Sequence, residues 1–307
     1  MGSATIGAMT CPLRECALSD SEILRYRVCG NGPLPVILLH GLASRSECWS
    51  DIAPLFPPET YTLYLVDLLG SGGSSKPKHA DYSIRAHSLR LLRFLEMESL
   101  AGVVLVGHSL GGAICLVASI EAMVTGKDAL VAALVIMGGP GYLQRLPLIA
   151  EVFQRPLAGH LFVLLYSPAA WIRIGLRAAY YDQSLVDKEH IARYAPCYRE
   201  RKAKRALVET CRSLLPADRD EIAARYRELR IPVLLLWGRH DQIVPLSQGS
   251  RLNAAIPGSR LEIIEQCGHN PQEEKPQETF RIIDGFIREK VLTSSGPVTP
   301  SSPLPSP

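Results

Sequence analysis

The stretch Val103-Val-Leu-Val-Gly-His-Ser-Leu-Gly-Gly112 leads from four apolar residues into a G-x-S-x-G motif and then into a second apolar run. The first four residues predict a buried strand, and residues Leu110–Val124 predict a buried helix. A serine on so tight a strand-to-helix turn needs strained backbone angles, and a Cβ on either flanking glycine would clash. The five-residue motif alone is weak. Its position between a strand and a helix makes Ser109 a candidate nucleophile.

A serine hydroxyl is a poor nucleophile unless a base removes its proton, and that base is typically a neutral histidine oriented by a carboxylate. Asp241 comes just after the apolar run Val233–Trp237, and His269 comes just after Arg260–Ile264. Three candidate side chains therefore follow predicted strands, in the chain order serine, aspartate, histidine. The sequence predicts a catalytic triad of Ser109, Asp241 and His269.

Short apolar runs recur along the chain, each followed by turn residues and then by a helical pattern. Continuous apolar strands are typical of a parallel sheet covered on both faces. The alternation predicts an α/β fold with a doubly wound, mostly parallel sheet and right-handed crossovers. The predicted strands are Val36–Leu39, Thr62–Val66, Val103–Val106, Leu130–Met137, Val233–Trp237 and Arg260–Ile264. The predicted helices are Glu47–Leu55, Ile84–Met97, Leu110–Val124, Ser247–Ala255 and Gln277–Val291.

This alternation stops between Gly138 and about Leu229, where helical patterns replace strands. An insertion at the carboxyl ends of the strands would cover the ligand site as a helical cap. The predicted organisation is an N-terminal segment (1–21), an α/β core (22–138 and 230–292), a cap (139–229) and a tail (293–307). The tail contains five prolines, five serines and no charged residue, so we expect it to be disordered.

Composition excludes several classes of protein. A formal net charge of +3 is too small to indicate nucleic-acid binding. The 22 residues between Glu98 and Glu121 lack Asp, Glu, Lys and Arg, but their glycines favour a strand, a turn and a helix over a membrane span. Eight cysteines show neither paired nor metal-ligand spacing, and the N-terminus lacks a secretory pattern. We therefore expect reduced thiols, a cytoplasmic location, and no metal or organic cofactor.

With these motifs the chain resembles the α/β-hydrolase superfamily over about residues 22–292. Two further loops carry the resemblance, His40-Gly-Leu-Ala43 and Asp67-Leu-Leu-Gly-Ser-Gly-Gly-Ser74. The resemblance implies an oxyanion hole formed by the backbone amides of Leu42 and Leu110. We expect His40 to support the oxyanion loop. Candidate substrate-binding residues are His40, Tyr142 and Trp171, although the aromatic residues of the cap are equally compatible with a core of its own.

The predicted reaction is hydrolysis of a small carboxylic ester through an acyl-enzyme on Ser109. The resemblance equally admits a hydrolase that cleaves C–C bonds in aromatic ring-fission products, and an acyltransferase or cofactor-free perhydrolase is a further alternative. Epoxide hydrolases and dehalogenases of this fold are disfavoured, because they have Asp where this chain has Ser109. A non-catalytic binding protein is the alternative from another class, but it has no need of a complete triad. The sequence leaves the oligomeric state open.

Overall fold

The computed structural model describes residues 3–6, 9–142, 152, 155, 159, 161, 162, 165–216 and 218–293. The strands of this part are β1 (Ser3–Ile6), β2 (Met9–Ala17), β3 (Ile23–Cys29), β4 (Leu34–Leu39), β5 (Tyr61–Val66), β6 (Val103–His108), β7 (Val131–Met137), β8 (Val233–Gly238) and β9 (Arg260–Ile264). They form one sheet in the order β1-β2-β3-β5-β4-β6-β7-β8-β9. Strands β4 to β9 pair in parallel and correspond to the six predicted strands. The predicted α/β fold is confirmed.

The α-helices of the described residues are α1 (Ile84–Met97), α2 (Leu110–Val124), α3 (Pro168–Ala179), α4 (Lys188–Tyr194), α5 (Arg201–Arg212), α6 (Arg219–Ala224), α7 (Leu246–Ala255), α8 (Pro271–Glu274) and α9 (Pro276–Ile287). Helices α1 and α2 have the predicted bounds. The last predicted helix, Gln277–Val291, corresponds to α9 and to the π-helical turn that follows it, Arg288–Leu292.

One predicted helix is wrong. Residues 47–55 form two short 3₁₀ turns, Ser46–Trp49 and Ala53–Leu55, instead of a continuous α-helix. Pro54 has no backbone N–H to donate, so the α-helical hydrogen-bond ladder cannot pass through it.

Both faces of the parallel sheet are covered by apolar residues. Along β4, Val36 and Leu38 belong to one hydrophobic cluster, whereas Ile37 and Leu39 belong to a second cluster on the opposite face. Helix α2 packs on the second face, and α9 packs on the first. Since every strand residue faces a core, the central strands are continuously apolar.

The N-terminal part of the sheet was not predicted. Strands β2 and β3 are antiparallel, and β3 also pairs antiparallel to β5, so residues before Leu34 extend the sheet. Their register sets Cys11 opposite Cys29, with Cα atoms 4.7 Å apart and the sulfurs joined in a disulfide. The prediction of reduced thiols is therefore wrong for these two residues. Cysteines 18 positions apart became neighbours through strand pairing, which sequence spacing does not reveal.

The apolar run between Glu98 and Glu121 forms β6, the turn at Ser109 and most of α2. Within the described ranges, no helix combines the length and apolar character needed to cross a membrane. Helices α3 to α6 lie between β7 and β8, in the interval predicted to be helical. We call residues 139–229 the inserted segment. The disorder predicted for 293–307 concerns residues that, except for Thr293, lie outside the described ranges.

Candidate active site

Ser109 lies on a strained turn between β6 and α2. Its φ of 53° and ψ of −119° fall in a region that side-chain-bearing residues rarely occupy. A Cβ on Gly107 would lie 2.4 Å from the carbonyl oxygen of Gly111, and one on Gly111 would lie 2.3 Å from that of Leu39. Both flanking positions therefore require glycine, as the motif predicted.

Leu42 and Leu110, whose backbone amides are the predicted oxyanion donors, both line the cavity that Ser109 lines. Leu110 is the first residue of α2, where helix geometry leaves the N–H without an intrahelical acceptor. Leu42 follows β4 and lines the same cavity as Ser109 and Leu110. The positive end of the helix dipole favours negative charge at this position.

Asp241 and His269 form a buried, hydrogen-bonded pair at the ends of β8 and β9. The Nδ1 atom of His269 lies 2.7 Å from Oδ2 of Asp241, and the aspartate side chain is only 1% exposed. The other oxygen, Oδ1, accepts the N–H groups of Ile243 and Val244 at 2.9 and 2.8 Å. An ionised carboxylate only accepts hydrogen bonds, so Nδ1 carries the proton and Nε2 is left as the acceptor.

His269 lines the cavity together with Ser109, and its backbone is held from two sides. Its N–H donates to the carbonyl of Ala179 at 2.6 Å, at the end of α3. Its carbonyl lies 2.8 Å from Nε2 of His108, the residue before Ser109. Burial, reinforced by the neighbouring His269, holds the pKa of His108 well below the ordinary value. A neutral His108 therefore donates from Nε2 and joins the serine turn to the histidine loop.

His40 is not in contact with the cavity, which corrects its assignment as a substrate-binding residue. The imidazole is fully buried, donates from Nδ1 to the carbonyl of Gly41 at 2.8 Å, and accepts the N–H of Leu68 at Nε2 at 3.0 Å. Burial lowers its pKa, which keeps it neutral. The expectation that His40 supports the loop of Leu42 agrees with these bonds. Asp67 holds the same region, because its Oδ1 accepts the N–H of Ser46 at 2.7 Å.

The cavity has a volume of about 490 Å³ and a largely apolar lining. Tyr142 and Trp171 both line it, and their role in substrate binding stays a prediction. In the part of the chain that the structure describes, Arg219 is the single Lys, Arg, Asp or Glu of the lining, and this arginine is exposed. The apolar lining includes Leu110, Leu116, Ile172, Leu207, Ile222 and Tyr226.

Sequence reasoning missed two glutamates that follow the candidate base. Glu274 accepts the N–H of Gly268 at 2.9 Å and that of Tyr181 at 2.8 Å. Glu273 accepts the hydroxyls of Tyr180 at 2.7 Å and Tyr194 at 2.6 Å. These carboxylates thus join the His269 loop to the inserted segment. In the sequence they look like the charged first turn of an exposed helix, and no local signal reveals their distant partners.

Comparison with known proteins places the fold. A family model described as alpha/beta hydrolase fold matches residues 35–276. The uncharacterized hydrolase YugF of Bacillus subtilis is 27% identical over 278 residues, covering 90% of this chain and 98% of that protein. The 2-hydroxy-6-oxo-6-phenylhexa-2,4-dienoate hydrolase of Comamonas testosteroni is 29% identical over 290 residues, covering 91% and 95%. An alpha/beta hydrolase fold protein from Burkholderia ambifaria has a similar crystal structure, with a TM-score of 0.77, 22% identity, and coverage of 88% and 96%.

Proposed function

Because the chain belongs to the alpha/beta hydrolase fold family, we propose that it is a serine hydrolase that cleaves carboxylic esters through an acyl-enzyme on Ser109. The observation that carries the proposal is the buried Asp241–His269 pair, whose histidine opens onto the same cavity as the strained serine. A serine held in a strained turn merely for packing has no need of this pair. The same fold supports many activities, so the function depends on these side chains.

In the proposed reaction, Ser109 Oγ attacks the ester carbonyl carbon while Nε2 of His269 accepts the hydroxyl proton. Asp241 holds the imidazole in the required tautomer and stabilises the imidazolium. The proton then passes to the departing alkoxide, which leaves as the alcohol. Water, deprotonated by the same nitrogen, attacks the acyl-enzyme carbonyl; the bond to Ser109 then breaks, Oγ takes the proton back from His269, and the carboxylic acid leaves.

The amides of Leu42 and Leu110 would bind the oxyanion that forms during both attacks. Each such donor contributes about 3–4 kcal/mol to transition-state stabilisation. Three features hold the Leu42 loop against the turn at Ser109 before substrate binds. They are the hydrogen bonds of His40, those of Asp67, and the close approach of Gly41 to Ser109. A preorganised donor pair lowers the barrier because little reorganisation is needed during the reaction.

The cavity lining favours an ester with an apolar acyl or alcohol group. Its volume is within the usual range of small-molecule sites, of roughly 300–1,000 Å³. Ring-fission acids are anions, and transferring a carboxylate into an apolar site without a charged partner is costly. Arg219 is exposed, so it offers such a substrate little buried compensation. The similarity to the Comamonas hydrolase nevertheless keeps C–C bond hydrolysis as the second candidate.

The test combines a fluorophosphonate probe with two substrates. Wild type and the S119A variant, which changes a buried serine within α2, should be labelled, and S109A should not. Wild type and S119A should hydrolyse p-nitrophenyl hexanoate and leave a vinylogous 1,5-diketo acid unchanged. Equal labelling of S109A and wild type would refute Ser109 as the nucleophile. Turnover of the diketo acid in preference to the ester would instead select the C–C hydrolase.

A further inference from the structure

Large apolar side chains are exposed on α3 and just before it. Leu165 is 68% exposed, Tyr166 is 54% exposed and Ile174 is 60% exposed. Proteins that stay in water rarely expose such side chains together, and patches of this kind mark interaction surfaces. We call Leu165, Tyr166, Arg173, Ile174 and Arg177 the docking face.

One residue of the docking face, Ile174, borders the opening of the cavity. Ile174 lines the cavity although most of its side chain is exposed, so it lies at the opening. Leu215, which follows α5, also lines the cavity and is 40% exposed. The opening is therefore rimmed by apolar side chains from two parts of the inserted segment.

The charge of this region has one sign. Residues 152–181 contain three arginines and no lysine, aspartate or glutamate. Arg173 and Arg177 are both exposed, one turn apart on α3, and neither forms an ion pair with any residue in the described ranges. Some partly exposed arginines of other regions have carboxylate partners, as in the pair of Arg260 with Glu289 at 3.0 Å. Unpaired cations beside exposed apolar side chains match the surface of an anionic lipid layer.

We propose that the docking face binds membranes that contain anionic lipids. Leu165, Tyr166 and Ile174 would enter the boundary between headgroups and acyl chains, with the two arginines at the lipid phosphates. The apolar cavity would then open toward the lipid layer and take up esters that partition into it. Docking needs no reaction at Ser109, so this proposal stands or falls separately from the hydrolase activity.

The test measures co-sedimentation of the full chain with vesicles, in the S109A background to prevent hydrolysis. The parent should bind vesicles containing about one third phosphatidylglycerol more tightly than pure phosphatidylcholine, and added salt should weaken binding. R173Q/R177Q should weaken binding to the anionic vesicles about 25-fold at low salt, or about fivefold per arginine. L165S/Y166S should weaken it at least about tenfold, through the lost apolar contact.

A matched pair on α1 serves as the control. Leu89 and Met97 are 49% and 48% exposed, and L89S/M97S should bind vesicles like the parent. With Ser109 restored, L165S/Y166S should still hydrolyse a water-soluble ester at the wild-type rate, which shows that the variant is folded. Neither residue lines the cavity.

Three outcomes would overturn the proposal. The parent could fail to bind any vesicle, or could bind neutral and anionic vesicles equally. L89S/M97S could also weaken binding as much as L165S/Y166S, which would show that binding is not specific to the docking face. If analytical ultracentrifugation showed a dimer that L165S/Y166S abolishes and no vesicle binding, the face would belong to a second copy of the chain.

Discussion

The two sides of the cavity are built differently. On the sheet side, Ser109, Asp241 and His269 follow the parallel strands β6, β8 and β9, and backbone and side-chain hydrogen bonds hold them in place. On the other side, helices of the inserted segment present mainly apolar side chains and expose several of them to solvent. Polar contacts join the two sides at a few points, among them the bonds of Glu273 and Glu274.

We infer that the sheet side carries the reacting groups and that the inserted segment selects the substrate. Reacting groups must be held within fractions of an ångström, which strand ends and tight turns achieve. A binding wall needs only the right shape and polarity, and it tolerates change more readily. In this protein the inserted segment is therefore where substrate preference should vary without loss of the reaction.

The largest expected effect comes from breaking the sheet side. D241N keeps the shape of the side chain and an acceptor for Ile243 and Val244, but it favours the wrong tautomer of His269. We expect kcat to fall about 10³–10⁴-fold with little change in KM. Steady-state kinetics with p-nitrophenyl hexanoate measures both constants. E265Q, which changes an exposed carboxylate near the same strand ends, should retain wild-type rates. A D241N enzyme within tenfold of wild type would refute the triad.

A smaller effect should follow from loosening the connection between the two sides. E273Q replaces one acceptor oxygen by an amide donor, so the hydroxyl of Tyr180 or Tyr194 loses its buried acceptor. We expect the free energy of unfolding to fall by about 1–3 kcal/mol. Hydrogen exchange should accelerate in residues 180–194, and kcat should fall less than in D241N.

Urea denaturation and exchange measured by mass spectrometry provide these readouts. E289Q is the control, because its carboxylate is 52% exposed and surface ion pairs contribute little. If E273Q changed neither the hydrogen exchange of residues 180–194 nor the free energy of unfolding, Glu273 would not stabilise the contact between the inserted segment and the His269 loop.

An acid response is expected from helix α1, which packs behind the sheet side. His87 is buried in α1, and burial lowers its pKa from the ordinary 6.5 to about 3. Between these values the unfolded chain binds a proton that the folded chain does not, so the free energy of unfolding falls as pH decreases. The loss approaches about 1.4 kcal/mol per pH unit, or roughly 2–3 kcal/mol by about pH 4.5.

H87Q should remove this share of the pH dependence, which urea denaturation between about pH 7.5 and 4.5 would reveal. H79Q changes an exposed histidine and should keep the wild-type slope. The same slope in H87Q and wild type would mean that His87 contributes nothing to the acid response.

Local patterns predicted the central part of the fold well. The bounds of α1 and α2 and the six parallel strands followed from runs of apolar residues. The prediction failed at Pro54, where one missing N–H ended a helix that the apolar pattern alone favoured. It also failed at Cys11 and Cys29, which only the register of two antiparallel strands brings together.

At the candidate site, sequence reasoning named residues but not their surroundings. The tight turn at Ser109 could be predicted, because the glycines that permit it lie only two positions away in the chain. His40 was assigned to the pocket, yet the fold buries it beneath the loop that it supports. Glu273 was missed since its partners, Tyr180 and Tyr194, lie about 80 to 90 positions away.

The sequence by itself determined the order of the parallel strands along the chain and the three candidate reacting groups at their ends. Hydrophobic periodicity and turn residues depend on near neighbours in the chain, so both can be recognised from the sequence. Tertiary structure alone decided which apolar side chains line the cavity and which, like Leu165 and Ile174, remain exposed at its opening. Burial depends on what packs against a residue from distant parts of the chain, and no local pattern contains that information.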